Sequence, residues 1–181
     1  MSAKARSLKI RKLTYAGVFL ALAMVLPFLT GQIPEIGGAL SPMHIPAFLC
    51  GFACGWPWGL AVGFVAPLLR FALFGMPPLM PTGLAMAFEL AAYGALSGLL
   101  YKRLPRKTPM IYVALVLSML GGRAVWGVVR YLLSGVQGTV FGLSAFWAGA
   151  FAKAVPGIVC HIALVPLIVL AMKKAGMALN D

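Results

Sequence analysis

Charged side chains lie inside strongly apolar segments of this sequence, at positions where a charge is costly. Arg70 comes before the proline-rich stretch of residues 75–82, and Glu89 comes after it. An ionisable group within a hydrophobic membrane span costs roughly 2.5–3.5 kcal/mol on insertion scales, so such groups usually face a protein interior or a wet cavity. We expect both residues at a similar depth, where they could pair with each other or bind a polar molecule.

Further polar and aromatic residues are predicted to reach the same depth. Arg123, Arg130 and Lys153 lie outside the basic clusters of the chain, and His44 begins another apolar segment. Arg123 and Arg130 share one helical face, with Trp126 between them. The internal charges all fall in one half of the predicted membrane, which indicates a pocket above an apolar floor. The predicted substrate-binding residues are His44, Arg70, Glu89, Tyr93, Arg123, Trp126, Arg130, Trp147 and Lys153.

Each of these residues also has a purely structural interpretation. Arg130 could extend its guanidinium to the membrane interface. Arg70 could do the same or pair with Glu89, which is also the expected partner of Arg123. The tryptophans could belong to the interface belt or to the packing. His161 is interpreted as a buried core histidine.

The composition is that of an integral membrane protein. Hydrophobic residues make up 62% of 181 positions and charged residues 10%, with a mean hydropathy of +0.98. A helical span needs about 20 residues, so the chain has room for about six spans and no soluble domain. We therefore expect one membrane domain over residues 1–181, with the first apolar segment retained as a helix because no clear cleavage site follows it.

The distribution of basic residues predicts the topology. Five of the fifteen lysines and arginines precede the first span, four lie within residues 102–107, and two follow the last span. Positive charge at span ends marks the cytoplasmic side. The net charge of +12 is therefore explained by membrane topology and does not indicate a nucleic-acid partner. The predicted fold is an all-α bundle of six transmembrane helices with both termini in the cytoplasm.

The spans are predicted at residues 13–29, 43–55, 57–74, 82–101, 110–133 and 143–172. Pro57 suits the first turn of the third helix. Pro156 and Gly157 predict a kink in the sixth. Glycines at positions 51, 55, 59 and 63 predict close helix packing,.

Several motifs of catalysis are absent. The sequence has no G-x-x-x-x-G-K-S/T, no H-E-x-x-H and no G-x-S-x-G,. Glu89 is the one acid within a predicted span, whereas most proton relays need two. Cys50, Cys54 and Cys160 are interpreted as small buried residues. We predict no catalytic residue, no metal and no cofactor, and a binding subunit that other proteins drive.

The chain resembles the substrate-binding S component of energy-coupling factor (ECF) vitamin transporters. The resemblance rests on the basic N-terminus, six short spans, SPMHIP after an outer loop, GMPP…P…E…YG and the GGR of the fifth span. It implies a binder in a bacterial cell membrane that docks on a membrane T subunit with two ATPases. It further implies that Gly17 and Ala21 form the small-x-x-x-small docking face and that the loop of residues 31–42 is the gate.

The predicted ligand is a vitamin that carries a carboxylate. Four basic groups against one acid favour an anion, and arginine grips a carboxylate through two hydrogen bonds. Pantothenate fits best, with nicotinate or a folate next and riboflavin, pyridoxine or thiamine after them. Two other classes remain open: an intramembrane enzyme or metal-handling protein using His44, His161 and the cysteines, and an accessory subunit without a ligand.

Overall fold

The structure is a computed structural model that describes residues 3–30, 37, 39–105, 107–177 and 179–180. Regular structure in these ranges is helical throughout, which confirms the all-α prediction. The helices that build the site are α1 (Ala3–Val25), α2 (His44–Cys54), α3 (Trp56–Phe74), α4 (Leu84–Arg103), α5 (Thr108–Val136), α6 (Leu143–Ala150) and α7 (Val155–Lys174). A 3-10 turn at Leu26–Thr30 extends α1, and a π-type turn at Leu79–Gly83 leads into α4.

Five helical segments in the described ranges are long and apolar enough to cross a membrane. They are Ala5–Leu29, Trp56–Phe74, Leu79–Arg103, Thr108–Val136 and Leu143–Lys174. The remaining apolar helix, α2, has 11 residues and is therefore about 16 Å long, roughly half of a bilayer core. The chain has the helices of a multi-pass membrane protein, but the count of six spans is not confirmed.

The short helix α2 occupies the centre of the bundle. Every residue of α2 except Ile45 is buried. Helices α1, α3, α4 and α7 all pack against it. Its first residue, His44, is thereby placed inside the protein and not at a surface.

Helices α2, α3 and α4 approach one another at glycines. A Cβ on Gly59 would lie 2.7 Å from the carbonyl carbon of Gly94, and one on Gly63 would lie 2.7 Å from the backbone nitrogen of Ala91. Gly51 is equally crowded by α4. Gly55 instead forms the turn between α2 and α3 at φ 96°, which a larger residue rarely adopts,. The predicted close helix packing is confirmed at Gly51, Gly59 and Gly63, whereas Gly55 serves the turn.

The last apolar segment is interrupted before its proline. Helix α6 ends at Ala150, a 3-10 turn covers Ala152–Ala154, and α7 begins at Val155. Pro156 therefore lies in the first turn of α7, where the missing N–H of proline does no harm. The break precedes the kink predicted at Pro156 and Gly157.

The two ends of the bundle differ in charge. We call one the basic end because the start of α1, Lys102 and Arg103 of α4, and Lys173 and Lys174 of α7 lie there. At this end the backbone N–H of Leu179 donates to the carbonyl of Ala53 at 2.8 Å. The start of α2 and the turn between α3 and α4 lie at the opposite end.

Candidate functional site

A cavity of about 360 Å³ lies at the end of the bundle opposite the basic end. Helices α2, α3, α4 and α5 each contribute a polar side chain to its wall: His44, Arg70, Glu89 and Arg123. Trp126 of α5 adds an aromatic wall. These are five of the nine residues that the sequence predicts to bind substrate.

Glu89 is the centre of a buried polar network. Its side chain is almost fully buried, and its Oε1 lies 2.8 Å from Nη1 of Arg123. The hydroxyl of Tyr93, one turn further along α4, donates to the same oxygen at 2.7 Å. Tyr93 itself is 2% exposed and lies behind Glu89, away from the cavity lining. The structure therefore contains the Glu89–Arg123 ion pair that the sequence suggests.

His44 brings two unsatisfied nitrogens to the cavity. Both ring nitrogens are buried and have no hydrogen-bond partner among the described residues. Nε2 lies 3.8 Å from Oε2 of Glu89, beyond ordinary hydrogen-bond distance,. A buried polar group without a partner costs about 1–3 kcal/mol. A bound molecule could supply that partner.

The ring of His44 is held in place by aromatic neighbours. It stacks on His161 with the centroids 5.7 Å apart and lies 5.4 Å from the ring of Tyr93. Nε2 of His161 is 3.3 Å from the carbonyl oxygen of Ser41, to which it donates. His161 thus behaves as the core histidine that the sequence suggests, and it joins α7 to the segment before α2.

Arg70 is a buried cation whose charge has no counter-ion among the described residues. It is 4% exposed, and its Nη1 donates to the backbone carbonyl of Met24 at 2.7 Å. The rings of Phe28 and Phe74 lie 5.2 and 5.1 Å from its Cζ, a cation–π arrangement that fixes the guanidinium. The interpretation that Arg70 pairs with Glu89 is wrong, because Glu89 pairs with Arg123.

Three predicted substrate-binding residues lie away from the cavity. Arg130 is half-buried, with its Cζ 6.0 Å from the ring of Phe141. Trp147 is 55% exposed, and Lys153 is exposed in the turn before α7. The structure therefore brings His44, Arg70, Glu89, Arg123 and Trp126 together at the cavity. It leaves Arg130 of α5 and the predicted residues of α6 and the following turn apart.

Other parts of the cavity wall were not predicted. Methionines 43, 76 and 86, prolines 77 and 78, Thr82 and Gly149 all contribute to the lining. Residues 76–82 belong to the proline-rich turn that the sequence analysis identifies, so the sequence contained a signal for their place in the wall. The sequence contained no such signal for Gly149, which lines the cavity because the ring of Trp126 packs against it.

The predicted docking and gate segments differ in how far they are described. Gly17 and Ala21 are exposed on the outer face of α1, and a Cβ at Gly17 would meet nothing within 4 Å. Of the predicted gate, residues 31–36 and 38 lie outside the described residues. Gly37, Ser41 and Pro42 of that segment line the cavity. Across the described ranges, no three His, Cys, Asp or Glu side chains are grouped as a metal site.

Comparison with known proteins bears on the function of this cavity. The family described as ECF transporter, substrate-specific component, matches residues 11–169. The chain belongs to this family. The ECF substrate-specific component is a membrane transport subunit, which agrees with the apolar helices and implies transport rather than catalysis. No curated protein and no solved structure matches the chain.

Proposed function

We propose that this ECF substrate-specific component captures a carboxylate-bearing vitamin, with pantothenate as the favoured substrate. The observation that carries the proposal is Arg70, a 4% exposed cation on the cavity wall without a carboxylate partner in the described ranges. Burial of an uncompensated charge is costly. A bound carboxylate would compensate it through two charge-assisted hydrogen bonds.

The remaining polar groups favour an anion with additional hydrogen-bonding groups. Arg123 and Glu89 neutralise each other at 2.8 Å, so the described part of the cavity wall keeps one positive charge, that of Arg70. His44 and Oε2 of Glu89 offer hydrogen-bonding capacity to a hydroxyl or an amide. Pantothenate has all three groups: one carboxylate, hydroxyls and an amide.

The size of the cavity also supports a small ligand. Its volume of about 360 Å³ is near the lower end of the ~300–1,000 Å³ of ligand pockets. Nicotinate fits by charge but leaves the hydroxyl and amide partners unused, and a folate is the largest of the candidates. Riboflavin, pyridoxine and thiamine lack the carboxylate, and Glu89 is already paired with a cation.

Uptake of the bound vitamin would require partner subunits. We propose that it docks on a membrane T subunit with two ATPases through the exposed face of Gly17 and Ala21 on α1, in a bacterial cell membrane. The whole chain would act as one domain, with the basic end in the cytoplasm and the cavity open to the outside. The segment of residues 31–42 would cover the ligand.

Calorimetric titration of the purified protein tests the substrate. Pantothenate, nicotinate, a folate, riboflavin, pyridoxine and thiamine are compared on the wild type, Arg70→Gln and the exposed control Arg103→Gln. We expect pantothenate to bind most tightly and Arg70→Gln to weaken it about 30-fold, since a hydrogen bond to a charged group contributes about 2 kcal/mol. Arg103→Gln should bind as the wild type does.

Two results would contradict the proposal. Tight binding of a neutral or cationic vitamin with no binding of the three carboxylates would remove the charge argument. Pantothenate affinity within about twofold of wild type in Arg70→Gln would show that Arg70 does not hold the carboxylate.

A further inference from the structure

A second cavity lies on the side of the bundle between α1 and α7. Both helices pack on α2, and the described residues that line the space of about 400 Å³ between them present apolar surface to it. Val18 and Leu22 of α1 face Leu164 and Ile168 of α7, and Leu49 of α2 forms part of the floor. We call this space the α1–α7 crevice. None of its described lining residues also lines the polar cavity.

The length of the crevice matches one leaflet of a bilayer. Its lining runs from Tyr15 of α1 to Leu26 at the start of the following 3-10 turn, which is about 16 Å of helix. The hydrocarbon core of a bilayer is about 30 Å thick, so one leaflet is about 15 Å. The crevice therefore spans the depth that a single acyl chain occupies.

Lysines flank the end of the crevice that lies at the basic end of the bundle. Lys12 precedes Tyr15 by almost one turn of α1, and Lys173 directly follows Met172 of α7, which lines the crevice. Both lysines are half-buried. Nζ of Lys173 lies 5.7 Å from the ring centroid of Tyr101, so its position is partly fixed,. Each lysine is within about one helical turn of a crevice residue, at the end of the bundle where a headgroup would lie.

We propose that the crevice binds one anionic phospholipid of the leaflet at the basic end. An acyl chain fills the apolar space, and the phosphate headgroup lies between Lys12 and Lys173. Membrane-surface lysines attract anionic lipids in this way. The apolar lining selects for a hydrocarbon chain, and the lysines select for the charge of the headgroup.

A helix of a partner protein fits the crevice less well. An α-helix with its side chains is about 10 Å wide, so it could insert only the side chains of one face into a space of about 400 Å³. The proposed docking residues Gly17 and Ala21 also point elsewhere. The crevice residues Val18 and Leu22 directly follow Gly17 and Ala21 in the sequence. Successive residues of an α-helix are about 100° apart around its axis, so Gly17 and Ala21 lie on a different face of α1.

The test uses the full chain in phosphatidylcholine nanodiscs with a phosphatidylglycerol that carries a photoreactive group in one acyl chain. Crosslinks are mapped by mass spectrometry and competed with unlabelled phosphatidylglycerol or phosphatidylcholine. We expect crosslinks at Val18, Leu22, Leu164 and Ile168 that phosphatidylglycerol displaces at lower concentration. In Lys12→Gln/Lys173→Gln this preference should fall about fivefold for each lysine lost, whereas the matched control Lys102→Gln/Lys107→Gln should keep it.

Two further measurements make the result decisive. Leu164→Trp fills the crevice and should lower the crosslinking, whereas Leu167→Trp, at an exposed position outside the crevice, should not. Equal competition by the two lipids in the wild type, or crosslinks confined to residues outside the crevice, would overturn the proposal. So would crosslinking of Leu22 to a polypeptide of the assembled transporter in place of lipid.

Discussion

Arg70 and Glu89 line the same cavity from adjacent helices and do not form an ion pair. Glu89 instead pairs with Arg123 at 2.8 Å, and Arg70 donates to the backbone carbonyl of Met24. The single acid within the described membrane helices is therefore already neutralised. Among the described residues of the cavity wall, the charge that remains for a ligand is the positive charge of Arg70.

Glu89→Gln is expected to destabilise the empty protein. The substitution leaves Arg123, whose side chain is 13% exposed, without its counter-ion, and breaking a buried pair in this way costs about 3–5 kcal/mol. Thermal unfolding of the purified protein in detergent measures the effect. Glu89→Gln/Arg123→Gln should recover part of the loss, because no unpaired charge remains; a double variant less stable than the single one would contradict this account.

His44→Phe is expected to separate ligand binding from stability. The phenyl ring keeps the stacking on His161 but removes two buried nitrogens that have no partner in the described ranges. The melting temperature of the empty protein should therefore stay the same or rise, while the affinity for the best ligand of the calorimetric panel falls at least about fivefold.

His161→Phe is the control for this pair of effects. It removes the hydrogen bond to Ser41 and should lower the stability of the empty protein by about 1 kcal/mol. If His44→Phe destabilises the empty protein as much as His161→Phe does, the nitrogens of His44 already have partners and the prediction is wrong.

Gly63→Ala is expected to lower stability through overpacking of α3 against α4. The added Cβ would lie 2.7 Å from the backbone nitrogen of Ala91, and the backbone must shift at a cost of about 1–3 kcal/mol. Gly17→Ala is the matched control, since its Cβ meets no atom within 4 Å. The control should gain about 0.5–1 kcal/mol from helix propensity. Equal melting temperatures for the two variants would rule out the tight contact.

Gly17→Leu and Ala21→Leu are expected to abolish uptake and spare binding. Both residues are exposed in the isolated subunit, so added bulk should disturb only a partner helix. Calorimetry of the purified variants and uptake by cells that contain the T subunit and both ATPases measure the two properties. Ala124→Leu, at an exposed position of α5, is the control, and parallel loss of binding and uptake would assign Gly17 and Ala21 to internal packing.

Cysteine labelling tests the proposed orientation. Lys107→Cys should react with a membrane-impermeant reagent only from the cytoplasmic side, because positive charge marks that side. Gly37→Cys should react only from outside. The opposite pattern would reverse the orientation and place the cavity mouth in the cytoplasm.

The sequence predicts the depth of a side chain better than its direction. Apolar segments and their charges placed His44, Arg70, Glu89 and Arg123 at one level, and the cavity contains all four. Arg130 has a suitable depth as well, but it lies beside Phe141. Depth follows from the distance to a helix end, whereas direction depends on how each helix is rotated against its neighbours.

The last apolar segment illustrates why the rest could not be predicted. A continuous helix over residues 143–172 would have kept Trp147 and Lys153 on predictable faces. The 3-10 turn at Ala152–Ala154 contains Lys153 and interrupts the helix between Trp147 and α7. The hydrophobic pattern is the same with or without that turn, since both parts are apolar.

The glycine contacts among α2, α3 and α4 also bear on how this protein could acquire a new cargo. His44, Arg70 and Glu89 are carried by helices that touch backbone to backbone, so these three side chains cannot move apart without breaking the contacts. Trp126 and Gly149 form another part of the cavity wall, where a ring packs on a residue without a side chain. Directed evolution towards a larger or smaller vitamin should therefore select substitutions at positions 126 and 149 first, while the glycine contacts among α2, α3 and α4 stay unchanged.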